Sequence, residues 1–290
     1  MSITITTDEF RVFSRYIHEI TGIHLKPEKA YLLETRMKPL FEQHHCSTFS
    51  ELYYKIRSDH TKQLQKQVIN AITTQETLFF RDQSPFEMFK YKLLPELIDK
   101  KAAMPSAFSQ IPIRIWSAAS STGQEAYSIA ICMKEILGDL SRFQVEILGT
   151  DISENAIHRA REGLYRKFEI ERGLDTAILQ KYFTQEDDSW RIKKEIQDMV
   201  KFRNMNLLEP FLFRTKFDII FCRNVAIYFS PEDKADLFNR MADTLEPHGA
   251  LVIGASEQLT GISNRFEAKR HLRSLYYELK AEAAESANAV

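Results

Sequence analysis

The stretch "SAASSTGQEAY" (residues 117–127) puts small side chains in front of a helical pattern. Small residues let the backbone approach a ligand, Gly123 can adopt a conformation closed to other residues, and the helix start offers free N–H groups. Glu125 sits in the first helical turn, where a carboxylate is favourable but would repel a pyrophosphate. It suits a ligand with a cationic or hydroxyl-rich group. Standing alone, this loop would read better as a plain strand-turn-helix connection.

Other stretches change that balance. Asp151 closes "VEILGTD" about 30 residues further on, where a carboxylate accepts hydrogen bonds from both ribose hydroxyls, or equally caps a helix starting near Ser153. In "RNMNLLEP", Asn206 follows a predicted strand and can offer an amide to an adenine edge, with Leu207 packing on the ring; the alternative is an ordinary polar turn. "FDIIFCRNVAIYF" ends an apolar strand in Arg223 and Asn224, followed by Tyr228, and polar residues at the end of a buried strand more often line a cleft than fill a core. A further cluster, "AITTQETLFFRD", sets Thr73, Thr74, Gln75, Thr77 and Arg81 around Phe79 and Phe80, as a domain junction or a cleft edge. Acidic and amide positions at successive strand ends, without a basic phosphate cradle, point to adenosine joined to something other than phosphate. S-adenosylmethionine fits that description.

These positions need a frame. Apolar runs "IRIWSA", "VEILGTD", "FDIIFC" and "ALVIGAS" alternate with helical stretches such as "EAYSIAICMKEIL" and "PEDKADLFNRMADTL", which implies a parallel sheet covered on both faces. Ligands of such sheets bind at the carboxyl ends of the strands. The N-terminal part reads differently, as amphipathic helices with no strand pattern between them. The first has Thr7 as its cap and Gly22 as its stop, the second opens at Pro27, the third begins with a capping box of Thr48 and Glu51, and "KQLQKQVINAI" forms a fourth. The fold class is α/β, a Rossmann-like domain preceded by a small all-α domain. The predicted boundaries are 1–82 for the helical domain, 83–110 for a linker helix and the loop "AAMPSAFSQIP", and 111–280 for the sheet domain, with a frayed tail over 281–290.

Composition excludes several classes. Lys plus Arg (39) balance Asp plus Glu (40), so no global field draws the chain to nucleic acid or an anionic membrane. Cys46, Cys132 and Cys222 are scattered among apolar residues without metal-ligand spacing, so no metal site is expected. No run of eighteen apolar residues and no leader pattern occur, and a cytoplasmic protein is expected. Strand order alone would also allow an NAD-dependent dehydrogenase, but that enzyme requires a glycine-rich turn and this loop has one glycine.

Together "ITTQETLFFRD", "RIWSAASSTGQEAYSIA", "GTDISENAIHRAREGLY", "NLLEP" and "FDIIFCRNVAIYF" resemble, in order, the signatures of the CheR-type chemotaxis protein methyltransferases. The resemblance runs from the N-terminal helices to about Lys280 and implies S-adenosylmethionine as cosubstrate and S-adenosylhomocysteine as product. It implies a protein-glutamate O-methyltransferase acting on glutamates of chemoreceptor cytoplasmic helices, monomeric and without membrane insertion. A CheR-like module that binds without turnover is the alternative. By position, Gln75, Thr77, Arg81, Glu125, Asp151, Asn206, Leu207, Arg223 and Asn224 match the cosubstrate contacts. Arg81 is expected to orient a carboxylate, and Tyr228 to shape the methyl-transfer pocket. Gln75 stands where the family commonly has Asn, and Gln124 and Ala126 where it shows Glu and Pro, departures that bear on loop rigidity. A small β-subdomain is implied near 165–200; "KYFTQEDDSWRIKKEIQ" lacks the glycine of the subset that grips a receptor tail, so no such tether is expected. Arg36, Lys38, Lys62 and Lys66 are candidates for docking an acidic receptor surface.

Overall fold

The computed structural model describes residues 4–103 and 109–281. Residues 104–108 of the predicted domain-edge loop and all but Ala281 of the predicted tail therefore lie outside the described residues. Helices α1 (Thr7–Thr21), α2 (Ala30–His44), α3 (Phe49–Ser58) and α4 (Gln63–Ile72) form the N-terminal unit around a core of their own that includes Phe13, Leu33, Phe49 and Val68. The cap of α1 is Thr6, one residue earlier than expected. Its side chain accepts from Glu9 N while Glu9 accepts from Thr6 N, a reciprocal pair unavailable to Thr7. Gly22 ends the helix at φ 74°. At α3, Thr48 accepts from Glu51 N, but the Glu51 carboxylate takes the N–H of Ser47, so the expected box is half formed.

After α4 the chain enters the second unit sooner than a separate linker would allow. Helix α5 (Ser84–Met88) passes through a π-turn (Phe89–Leu93) into α6 (Leu94–Ala103), and Phe86, Phe89 and Leu97 belong to the main core. The wider turn precedes Pro95, whose ring would meet the carbonyl four residues back in a regular α-helix.

The central sheet uses β1 (Ile111–Ala118), β2 (Phe143–Asp151), β6 (Val200–Asn204), β7 (Phe217–Cys222), β8 (Leu245–Ile253), β9 (Phe266–His271) and β10 (Ser274–Leu279). Its order is β6-β2-β1-β7-β8-β10-β9. The first five strands are parallel, and β10 pairs antiparallel with both β8 and β9. The all-parallel expectation missed that terminal hairpin, because β9 buries only Phe266 and lacks the continuous apolar run of a doubly covered strand. Helices α7 (Gln124–Leu137) and α8 (Glu154–Glu162) follow β1 and β2. Then come β3 (Leu164–Arg166), α9 (Lys167–Glu171), α10 (Thr176–Tyr182), β4 (Phe183–Glu186), β5 (Ser189–Ile192) and α11 (Lys194–Gln197), with the three strands forming a separate sheet in the order β3-β5-β4. Helix α12 (Pro231–Thr244) joins β7 to β8. No helix among the described residues is long and apolar enough to cross a membrane.

This small sheet is fastened to the cleft. Phe79 packs edge-on against Tyr165 and Phe183, at 5.0 and 5.3 Å between ring centres, and a Cβ on Gly173 would stand 1.9 Å from the Phe79 carbonyl oxygen. Gly173→Ala should therefore cost about 1–3 kcal/mol by overpacking, read as a lower urea midpoint with unchanged slope; an unchanged midpoint would show that this contact yields freely.

Candidate functional site

Chain order reverses on either side of β1, with β2 to one side and β7 to the other, and a crevice opens beyond their carboxyl ends. Every residue matched above, Gln75, Thr77, Arg81, Glu125, Asp151, Asn206, Leu207, Arg223, Asn224 and Tyr228, lines that one cavity. The helical unit closes it from the other side with His24, Leu25, Lys29 and Leu32.

The loop after β1 turns sharply, with Ala119 at φ 58°, Ser121 at φ 50° and Gly123 at φ 98°. At Gly123 both backbone and space demand glycine, since a Cβ would lie 2.9 Å from Ala160 Cβ and 3.1 Å from the Tyr165 hydroxyl. Gln124, one of the departures from the family pattern, is buried and accepts from Thr122 Oγ1 at 2.8 Å, which ties the turn together. Tyr165 donates to the Thr122 carbonyl from outside at 2.8 Å.

Glu125 and Arg223 are committed to one another. Arg223 Nη1 donates to Glu125 Oε2 at 3.0 Å, and Ser117 Oγ donates to Glu125 Oε1 at 2.8 Å. Arg223 Nη2 reaches across to the Arg81 carbonyl at 2.8 Å and Asp82 Oδ2 at 2.7 Å, and its guanidinium lies over the Phe86 ring. With its side chain 1% exposed, Arg223 holds the FFRD segment against α7. Phe80, Asp82 and Gln83 all have positive φ, so this segment is strained and needs such a tie.

Asp151 presents a different face. Its Oδ2 accepts from Ser121 N and its Oδ1 from Ser153 N, both at 2.9 Å. The cap of α8 is Ser153 rather than Asp151. Gln75 Nε2 donates to Ser153 Oγ at 2.9 Å, and Ser153 Oγ donates to Asn70 Oδ1 at 2.8 Å, which connects the helical unit to this corner. Burial pushes the Asp151 carboxyl above its ordinary value, against the opposing pull of the Ser153, Ser121 and Ile152 N–H groups. Nearby, Ser120 Oγ is buried and has no hydrogen-bond partner. A carboxylate with unused lone pairs on the cavity wall suits the hydroxyls of a ribose.

The remaining matched residues divide by what they have left to offer. The Asn206 amide donates to the Ile20 carbonyl at 3.2 Å and accepts from Leu208 N at 3.0 Å, so the side chain mainly anchors α1, and Leu207 supplies an apolar wall. Asn224 has φ 58°, and its N–H is held by Glu257 at 2.8 Å. Tyr228 is fixed through its main chain, whose carbonyl accepts from His24 N at 2.9 Å. Among the described residues Arg81 forms no ion pair, and its Nη1 donates to the Glu76 carbonyl at 3.0 Å. Of the docking candidates, Arg36 bonds the Ile72 carbonyl and Thr74 Oγ1, and Lys66 pairs with Glu154 at 2.8 Å, while Lys38 and Lys62 lie exposed.

Sequence reasoning passed over Ser117, Ser120, Asp82 and Glu257. The first three sit inside the motifs quoted above. Glu257 lies more than 30 residues from Asn224, in a segment with no pattern of its own.

A crevice at the switch point of such a sheet, with a carboxylate placed for ribose hydroxyls, suits an adenosine ligand, and its family matches make the protein an S-adenosylmethionine-dependent methyltransferase. The CheR methyltransferase S-adenosylmethionine-binding domain matches residues 75–273, and the CheR methyltransferase all-α domain matches residues 8–73. The chain is 39% identical over 282 residues to a chemotaxis protein methyltransferase of Vibrio parahaemolyticus, covering 96% of this chain and 99% of that one. It is 37% identical over 277 residues to chemotaxis protein methyltransferase 1 of Pseudomonas aeruginosa, covering 94% and 98%. The chain belongs to the CheR family of chemotaxis protein methyltransferases.

Two outcomes follow from this geometry. Arg223→Ala leaves the Glu125 carboxylate without its countercharge and should cost about 3–5 kcal/mol, measured by denaturant unfolding. For Asp151 the raised value means that protonation sets in at a higher pH than for a solvated aspartate, and a protonated carboxyl accepts fewer hydrogen bonds. The ligand-free fold gains stability from this group below the unfolded-state value, near 3.9, and loses it as pH rises through the folded value. Binding runs the opposite way: S-adenosylhomocysteine affinity should weaken as pH is lowered through the raised value and be complete above it. Asp151→Asn should weaken binding at neutral pH by about tenfold or more and flatten that dependence, as followed by calorimetry.

Proposed function

We propose that the protein methylates glutamate side chains on chemoreceptor cytoplasmic helices, giving glutamate methyl esters. The observation that carries this reading is the position of Arg81, a cation without an ion pair among the described residues, on the wall of a cavity shared by both units. A glutamate carboxylate has an ordinary pKa of about 4.3 and is ionised at neutral pH, so the nucleophile needs no general base. Bound S-adenosylmethionine supplies a methyl group on a positively charged sulfur. The protein's task is alignment and exclusion of water.

Arg81 can hold a carboxylate, that of the acceptor or that of the cosubstrate's methionine moiety, by a paired charge-assisted contact. Tyr228, whose hydroxyl has no hydrogen bond among the described residues, gives the transfer pocket its wall, and His24, Leu25 and Leu32 close it from the helical side. Exposed Lys38 and Lys62 offer the approaching acidic helix a complementary charge. The β4–β5 turn is made by Asp187, at φ 50°, and Asp188 in place of a glycine loop, in keeping with action that does not depend on a receptor tail.

Incubation with tritiated S-adenosylmethionine and receptor-containing membranes should label the receptor, and mild alkali should release the label as volatile methanol, as an ester requires. Label that resists alkali would exclude the ester, and no label with intact S-adenosylhomocysteine binding would favour a module that binds without turnover. Arg81→Ala should slow single-turnover methylation by about tenfold or more; an unchanged rate would remove Arg81 from the reaction.

A further inference from the structure

We infer that Glu257 is a positioning residue for the methyl-transfer site, acting through Asn224. The last paired residues of β7 and β8 are Cys222 and Ile253. Past them the chain of β7 must leave the sheet and turn into the cavity, and it does so at Asn224, which adopts φ 58°. Asparagine tolerates this left-handed conformation better than most residues, and the turn takes the Asn224 N–H out of the ladder. Glu257 replaces the lost rung. Its Oε2 accepts from Asn224 N and from Gly254 N, both at 2.8 Å, and so bridges the two strand ends.

The surroundings show that this carboxylate is built in. Glu257 N donates to the Gly254 carbonyl at 2.9 Å, closing a tight turn that folds the side chain back. A Cβ on Gly254 would lie 2.6 Å from Glu257 Oε2 and 3.0 Å from Asn224 N, so the passage between strand ends is open only to glycine. The second oxygen, Oε1, is shielded from solvent and has no hydrogen-bond partner. A surface carboxylate would keep both oxygens in water; this one forgoes hydration to hold two amides. Glu257 stands behind the cavity wall, whereas Asn224, Val225 and Tyr228 form it, the last through the 3₁₀ turn Ala226–Tyr228. The carboxylate thus sets the direction in which that wall segment leaves β7.

The inference rests on the cavity being the cosubstrate site, and its readout is kept independent of the acceptor. S-adenosylhomocysteine affinity is measured by calorimetry on the full chain for Glu257→Ala, Asn224→Ala and the double variant. Loss of two charge-assisted bonds, both to main-chain N–H groups that Asn224→Ala retains, should weaken binding by about tenfold or more in Glu257→Ala, and by a similar factor when Asn224 is already alanine. Glu257→Gln keeps one oxygen for both amides, guards against a folding defect, and should stay within about threefold of the parent. The KM for receptor should be unchanged in all of them. An unchanged affinity in Glu257→Ala, a Glu257→Gln as weak as the alanine, or equal rises in both KM values would each overturn the inference. A parent chain that binds S-adenosylhomocysteine with this pattern but labels no receptor would instead fail the proposed acceptor and leave Glu257 in its role.

Discussion

The cavity depends on one buried guanidinium. Arg223 leaves the end of β7 with its side chain out of water and spends it on three acceptors from two separate segments, Glu125 on α7 and the Arg81 carbonyl and Asp82 carboxylate of the FFRD turn. A charge so placed is tolerable only when paired, and here the pairing also sets distances. It keeps α7, which follows the sharp loop after β1, in register with the strained turn that carries Arg81. The Glu125 charge, which from the sequence looked available to a cationic ligand, is largely answered within the protein. Unused polar capacity on the cavity wall is left at Asp151.

Around that tie the two units are joined at several points, all beside functional residues. The end of α1 meets the wall of the site through the Asn206 amide on the Ile20 carbonyl, the His24 N–H on the Tyr228 carbonyl, and Gly22, where a Cβ would lie 2.9 Å from the Phe229 ring. His18 reaches Asp233 at the start of α12 at 2.7 Å. The inserted small sheet holds the opposite side through Phe79, Gly173 and the Tyr165 hydroxyl on the loop carbonyl of Thr122. A helical unit fixed so close to the pocket is part of its wall.

Much of this was legible in the sequence because its signals are local. Period-2 and period-3.6 patterning marks strands and helices wherever burial is one-sided or complete, and the order of motifs along the chain identifies the family and the residues that line the cleft. Failures came where a residue's environment is made by distant segments. The β9–β10 hairpin escaped because a half-exposed edge has no continuous apolar run. The α1 cap is a local exception: its partner carboxylate, Glu9, stands three residues after Thr6 and decides between two threonines of equal propensity.

The sequence by itself determined the α/β frame, the helical unit before it and the set of residues brought to one cavity, since burial pattern and motif spacing are properties of the chain. Only the tertiary structure decided what each of those side chains has left to give. Arg223, Glu125 and Asn206 are largely spent on protein partners, Arg81 and Asp151 retain capacity, and Glu257, without any local mark, governs the turn at Asn224. The reason is that a buried polar group is defined by its partners, and those partners arrive from 30 to more than 100 residues away.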